Sequence, residues 1–267
     1  MVDPAVERRY GAVLEYDGTD FSGFQIQAEG RTVQGELETA LRRVTQVETR
    51  VIGAGRTDAG VHASGQVIAF TVPWRHTTQD LQRALNAVLP ADVALRTLRP
   101  VPGAFHPRFD AIRRTYHYTV LNQPERSPLG RRYACHTPQP LDVEAMRQAG
   151  QCLIGRHDFA SFGRPPQGNK TVRHVTQAEW VAEGPRLTFV ISANAFLYRM
   201  VRAIVGTLLQ VGKGERAPAE MLAILEARER SLAGPLAPAC GLCLVEVGYP
   251  EADFMSGSAS PENSLRN

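Results

Sequence analysis

Residues 99–110 read Arg99-Pro100-Val101-Pro102-Gly103-Ala104-Phe105-His106-Pro107-Arg108-Phe109-Asp110. Pro100, Pro102, Pro107 and Gly103 within one stretch exclude a continuing helix or a central strand. The stretch therefore reads as an internal boundary. On its N-terminal side, residues 10–16 (YGAVLEY) read as a strand closed by the turn Asp17-Gly18. Thr32 is placed to cap a helix on which Val33, Leu37, Ala40, Leu41 and Val44 recur at helical spacing. Short and long strand patterns follow at 49–52 and 66–72. Thr77 with Asp80 forms a capping-box pattern ahead of Leu81, Ala84, Leu85, Val88 and Leu89, and Pro90 stops that helix. Residues 93–98 close the half as a strand.

Beyond the boundary the order repeats. Residues 115–121 (TYHYTVL) read as a strand. Asp142 caps a helix carrying Met146, Ala149 and Leu153, ended by Gly155. A Gly/Pro-rich loop spans 163–170. Strands at 172–181 and 186–192 flank the turn Glu183-Gly184, a helix runs from Ala195 to about Val211, another covers 220–228, and 242–249 closes as a strand. Both halves thus read strand, helix, strand, strand, helix, strand, which is the ferredoxin-like order. The expected fold is α+β. Two ferredoxin-like halves, 1–104 and 105–250, join antiparallel sheets into a central sheet, with helices on one face and a long concave cleft on the other. The Ser-rich, polar stretch 251–267 is expected to be a disordered tail.

Composition narrows the class. With 267 residues, 43% hydrophobic and 21% charged, the chain holds enough apolar material for a packed core. The net charge of +3 names no partner. Lys170 and Lys213 are the only lysines among 30 basic residues, the rest being Arg. Arg suits bidentate phosphate contacts, but a compositional bias towards Arg is the plainer main cause of the excess. No secretory signal opens the chain, and no apolar run reaches the length of a membrane span. A cytoplasmic protein without a membrane partner is expected. Cys135, Cys152, Cys240 and Cys243 read as reduced structural thiols, because the Cys240/Cys243 pair lacks two further ligands and leads into a strand.

The densest chemical signal is Gly53-Ala54-Gly55-Arg56-Thr57-Asp58-Ala59-Gly60-Val61-His62. Three glycines give an unusual backbone path. A phosphate-cradling loop is excluded by the absent Gly-Lys-Ser/Thr ending and by the central carboxylate. A lone carboxylate on a turn, with Arg56 two residues away, fits a nucleophile or an electrostatic stabiliser, since a guanidinium favours the ionised form. A turn cap made by Asp58 is the competing reading. Asp17, Asp20 and Asp110 read as caps or turn residues, so the paired carboxylates of a glycosidase are missing. His62 lacks a second local His and reads as a positioning or packing residue.

Arg113, Arg114, Tyr116, His117 and Tyr118 cluster on one strand. Tyr116 and Tyr118 share a face and either stack on an unpaired base or pack in the core. On the helix after Ala195, Arg202 falls at the edge of the apolar face and Arg199 falls opposite. Arg202 then either meets an acidic or phosphate partner or snorkels to water.

These motifs together resemble one family. Gly55-Arg56-Thr57-Asp58-Ala59-Gly60-Val61-His62 with Gly65-Gln66-Val67 is similar to the active-site motif of the tRNA pseudouridine synthase A family. The likeness extends to Tyr16-Asp17-Gly18-Thr19, Phe21-Ser22-Gly23-Phe24-Gln25, Thr32-Val33-Gln34, Phe105-His106-Pro107-Arg108-Phe109 and Arg114 with Tyr116 and Tyr118. It continues through His157-Asp158-Phe159-Ala160-Ser161-Phe162, Asn194-Ala195-Phe196-Leu197, Met200-Val201-Arg202 and Gly241-Leu242, so it covers roughly 10–250. Phe24 and Cys243 depart from the usual aromatic choices of the family.

The resemblance implies isomerisation of uridine to pseudouridine at positions 38, 39 and 40 of the tRNA anticodon stem and loop, with the target base flipped out. It implies Asp58 as nucleophile, with Arg56 and Arg202 paired to it or near it. Tyr116 then contacts the target uracil and assists removal of the C5 proton. Arg114, Gly55, Thr57, His62 and Gln25 join Tyr116 as substrate-binding residues. It also implies a homodimer around tRNA, and chemistry that needs no cofactor and no metal. A non-catalytic RNA-binding protein and a metal-dependent hydrolase using His62 and Asp58 stand as alternatives.

Overall fold

The computed structural model describes residues 6–165 and 168–250. The expected tail at 251–267 lies outside the described residues, as do residues 166 and 167 of the expected loop at 163–170. The first half runs β1 (Val6–Tyr16), α1 (Val33–Thr45), β2 (Ile52–Gly53), β3 (His62–Trp74), α2 (Thr78–Val88) and β4 (Val93–Pro100). The second runs β5 (Arg113–Asn122), β6 (Cys135–Thr137), α3 (Val143–Gln151), β7 (Gly155–Asp158), β8 (Val172–Glu183), β9 (Arg186–Ala193), α4 (Met200–Gly212), α5 (Glu220–Ala227) and β10 (Leu242–Gly248).

Local signals set the helix starts. Thr32 Oγ1 accepts from Gly35 N at 3.2 Å. Thr77 and Asp80 exchange side-chain and backbone bonds in a full capping box. Asp142 Oδ1 accepts from Ala145 N at 2.9 Å. Each such cap contributes about 1 kcal/mol. α4 starts at Met200 rather than at Ala195. Arg199 sits in the left-handed region with φ 62°, and Tyr198 N donates to Arg164 O at 2.8 Å. Residues 195–199 therefore follow tertiary bonds instead of the helical ladder that their apolar spacing suggests.

Among the described residues, the ten strands form one sheet with the main order β4-β1-β3-β10-β5-β9-β8-β7. The first four strands, in the order β4-β1-β3-β2, and the group β10-β5-β9-β8 each follow the ferredoxin-like order. The two groups meet where β10 pairs parallel to β3, Cys243 opposite His62 and Leu244 opposite Ala63. β2 occupies the same edge of β3 further along, Ile52 opposite Ala69. One edge of β3 is thus handed from β2 to β10, and the loop between β2 and β3 must leave the sheet at the handover.

Two cores flank that junction. One gathers Tyr10, Leu14, Leu37, Leu41, Phe70, Leu81 and Leu244. The other gathers Tyr118, Met146, Phe189, Ile204, Leu208 and Leu242. Leu242 and Leu244 share one face of β10, so both cores and their helices lie on the same side of the sheet. Tyr116 packs against both cores.

Candidate active site

The β2–β3 loop is held before it carries any chemistry. Ala54 N continues the ladder to Val67 O at 2.8 Å. At the next residue a side chain replaces a strand. Gln66 Oε1 accepts from Gly55 N at 3.1 Å, and Gln66 Nε2 donates to Gly55 O at 2.9 Å. Gln66 is fully buried, so both bonds form away from water, where leaving either group unpaired is costly. Thr57 is buried, its Oγ1 2.7 Å from Tyr16 Oη, and its carbonyl accepts from Phe24 N at 3.1 Å. Asp58 then opens a turn closed by Val61 N to Asp58 O at 3.2 Å. Gly60 supplies the positive φ of 76° inside it.

His62 ends the loop. Its Nδ1 accepts from Gly18 N at 3.0 Å and lies 3.1 Å from Asp17 Oδ1. Its ring stands 5.1 Å from that of Tyr133, in the second half. Asp17 also accepts from Thr19 N, Thr19 Oγ1 and Tyr133 Oη. Burial alone would raise the Asp17 carboxyl, but these hydrogen bonds outweigh it and hold the group below its ordinary range.

The Asp58 carboxylate does not cap its own turn. Oδ2 lies 3.2 Å from Nη1 of Arg202, and the two side chains are 15% and 16% exposed. Arg202 is aimed by a second bond, from Nε to Ala237 O at 2.8 Å. Its head therefore meets an acidic partner rather than snorkelling to water. Arg56 is exposed, and among the described residues its side chain forms no hydrogen bond or ion pair. The expected pairing of Asp58 with the neighbouring Arg56 is absent, because the carboxylate turns inward to α4 while an exposed guanidinium keeps its hydration.

Tyr116 lies beside this pair. Its ring meets Phe196 edge-on at 5.0 Å. A Cβ built on Gly55 would stand 3.7 Å from Tyr116 Oη and 3.6 Å from Leu244 Cδ2. A methyl group there would sit in ordinary contact with the phenol, so the missing side chain leaves the backbone of Gly55 bare beside Tyr116. Burial pushes the phenol up to about 12, opposed by the charge of Arg114 and reinforced by that of Asp58.

Arg114 is turned into the protein. It is 8% exposed, and its guanidinium donates to the carbonyls of Ala54, Arg108, Ala111 and Asn194. Gln25 is half-buried on the segment that packs against Thr57. Asp58, Arg202, Tyr116 and Gly55 thus converge, whereas Thr57, His62 and Arg114 brace them from below. Gln66 is the anchoring residue that pattern reading passed over. Its parity with Ile68, Phe70 and Val72 on a core-facing strand was the available signal, since a buried amide there needs partners.

The position of the site differs from the expected cleft. Tyr116 shares its strand face with Tyr118 and Val120, which lie in the core beneath α4, and Asp58 is held by a residue of α4 itself. The cluster therefore sits on the helix-bearing face, at the seam between the two cores. The reason is electrostatic: the counter-charge comes from a helix, so the carboxylate must approach from the helix side. Among the described residues no group of three or more His, Cys, Asp or Glu side chains is arranged to hold a metal, and no helix is long and apolar enough to cross a membrane. The four cysteines are free thiols.

Comparison with known proteins decides the family. The family model described as tRNA pseudouridine synthase matches residues 12–110 and 149–250, both sides of the seam. The chain belongs to this tRNA pseudouridine synthase family. Relatives are full-length and close. The tRNA pseudouridine synthase A of Brevibacillus brevis is 46% identical over 243 residues, covering 91% of this chain and 100% of its own. That of Geobacillus kaustophilus is 45% identical, covering 91% and 95%. That of Moorella thermoacetica is 47% identical, covering 88% and 97%. The chain is accordingly an enzyme of the isomerase class, a pseudouridine synthase that modifies tRNA.

Proposed function

We propose that the substrate positions are uridines 38, 39 and 40 of the tRNA anticodon stem and loop, and that Asp58 is the nucleophile. The observation that carries this reading is the carboxylate held by Arg202 beside Tyr116, with the side-chain-free Gly55 next to the phenol. In the reaction the N1–C1′ glycosidic bond breaks, the uracil turns and a C5–C1′ bond forms, and the proton lost from C5 is matched by one gained at N1, so that the product is an isomer of the substrate. A carboxylate kept in place by a guanidinium supplies the nucleophile. The Tyr116 ring supplies a platform for a base taken out of the stack. Arg202 orients Asp58 and balances its charge. Gly55 and Gln25 line the approach, while Arg56, exposed on the same loop, reaches the backbone of the RNA. No step of this chemistry calls for a cofactor or a metal.

The enzyme is further read as two halves, 1–104 and 105–250, acting as a homodimer on tRNA in the cytoplasm. Phosphate contacts by scattered arginines make RNA affinity fall with salt.

The test is Asp58→Asn, assayed by tritium release from C5-labelled tRNA with pseudouridine mapped at each position. The expected result is loss of turnover with tRNA binding retained. Turnover close to that of the unmodified enzyme overturns the nucleophile, and pseudouridine found elsewhere than 38–40 overturns the site.

A further inference from the structure

We propose that Arg114 is a positioning residue for the isomerisation, registering the loop that carries Asp58 against the segment that carries Phe196 and leads into α4. Nη1 donates to Ala111 O at 3.0 Å and to Asn194 O at 2.9 Å. Nη2 donates to Ala54 O at 3.3 Å and to Arg108 O at 2.5 Å. The acceptors come from three separate stretches of chain. Ala54 is the last residue before the Gly55–Asp58 run. Arg108 and Ala111 belong to the connector between the halves. Asn194 lies between β9 and the irregular segment holding Phe196.

Two features make this more than a packing bond. First, among the described residues no carboxylate lies within ion-pair distance of Arg114. Four carbonyl dipoles stand where a counter-ion is usual for a buried charge. Second, the residue type matches the task. A planar guanidinium with five donors serves several acceptors at once, whereas an ammonium on a flexible stem offers three donors from a single point. Arg114 lies two residues before Tyr116 on the same strand face, so its charge stands beneath the phenol, and that charge draws the Tyr116 hydroxyl down against the push of burial. One side chain thus sets the distance between the Asp58 loop, Tyr116 and Phe196. Rates are sensitive to such placement: a shift of about 1 Å costs on the order of 100-fold.

This inference deepens the reading of Asp58 and Tyr116 as the reacting site and rests on it. It replaces the direct substrate contact implied for Arg114 by the family resemblance.

The experiment uses the full chain with Asp58 intact and compares wild type with Arg114→Lys and Arg114→Met. Thermal melting, tRNA Kd by filter binding, and kcat and KM by tritium release are measured together. The expected result for Arg114→Lys is a kcat reduced about 10- to 100-fold, with Kd and KM within about twofold of wild type. A raised KM and Kd with kcat retained overturns the proposal in favour of substrate contact. Wild-type kcat in both variants overturns it outright. If neither variant folds, arginine-specific modification of the wild-type chain by phenylglyoxal, read by peptide mass spectrometry with and without tRNA, decides. Arg114 unmodified in both states while Arg56 reacts supports the proposal, and Arg114 reactive when free but protected by tRNA overturns it. Absence of tritium release from the wild type itself is the separate failure of the functional reading.

Discussion

Arg202 and Asp58 stand 144 residues apart in the chain, and their side chains meet at 3.2 Å. The pair is largely but not wholly shielded, at 16% and 15% exposure. That places its strength between a rim pair and a fully buried one, roughly 1–3 kcal/mol. Arg202→Ala should lower kcat/KM about 10- to 100-fold, and Arg202→Lys should recover part of that loss. Arg56→Ala, on an exposed side chain, should act mainly on tRNA affinity. Tritium-release kinetics on the three variants check this, and equal losses of kcat in Arg56→Ala and Arg202→Ala contradict the geometry.

Tyr116 carries a pH prediction. With its hydroxyl pushed up to about 12 by burial, the phenol is protonated throughout pH 6–10. The kcat profile should therefore show no Tyr116-linked rise across that range. A phenolate base would instead give a tenfold rise per pH unit, abolished in Tyr116→Phe. Tyr116→Phe keeps the ring contact with Phe196, whereas Tyr116→Ala loses it. The Ala variant should be slower than the Phe variant by a further 10- to 100-fold or so, the magnitude of one base–aromatic stack.

The glycines of the loop and its support separate space for substrate from space for the fold. A Cβ at Gly55 meets Leu244, Tyr116 and Gln66 only at ordinary contact distances. Gly55→Ala should melt within about 2 °C of wild type, a change of no more than about 1 kcal/mol, while kcat/KM falls because the methyl group crowds the Tyr116 hydroxyl. A Cβ at Gly18 would overlap the backbone carbonyl of Val61. Gly18→Ala should lose about 2–3 kcal/mol of stability through overpacking against backbone. Calorimetry with parallel kinetics tests the pair, and a Gly55→Ala enzyme of full activity contradicts the assignment of that space.

Asp17 links the Asp58 loop to the second half and should tune acid stability. Its carboxyl is held below the ordinary range despite burial, through bonds from Thr19 and Tyr133. A group depressed on folding contributes stability that is complete above its unfolded value, near 4, and is lost as pH falls through the folded value. Melting curves should show Asp17→Asn less stable than wild type at pH 7, with the gap closing towards pH 3. A gap that persists unchanged at pH 3 argues for packing alone.

Much of the fold was legible because its signals are local. Thr32, Thr77 and Asp142 announced helix starts that the backbone bonds then realised. The alternating strands at 10–16, 66–72 and 186–192 reappear inside longer strands. β6 and β7 were not legible, since Cys-His-Thr and Gly-Arg-His-Asp carry no apolar alternation. The start of α4 differs because Tyr198 is tied to Arg164, outside the helix, and the next residue, Arg199, is left-handed.

The candidate site divides in the same way. By itself the sequence determined the order of elements, their apolar faces, the glycine-bounded loop presenting Asp58, and the motifs that carry the family likeness. Each of these rests on residues within a turn or two of one another. Tertiary structure alone decided that Arg202 and not Arg56 holds Asp58, that Arg114 is buried among carbonyls, and that the cluster lies on the helix-bearing face. Those outcomes depend on desolvation and on ångström-scale distances between residues such as Ala54, Arg114 and Asn194. No local periodicity encodes such distances, because they are set only when β10 closes against β3 and the two cores meet at Tyr116.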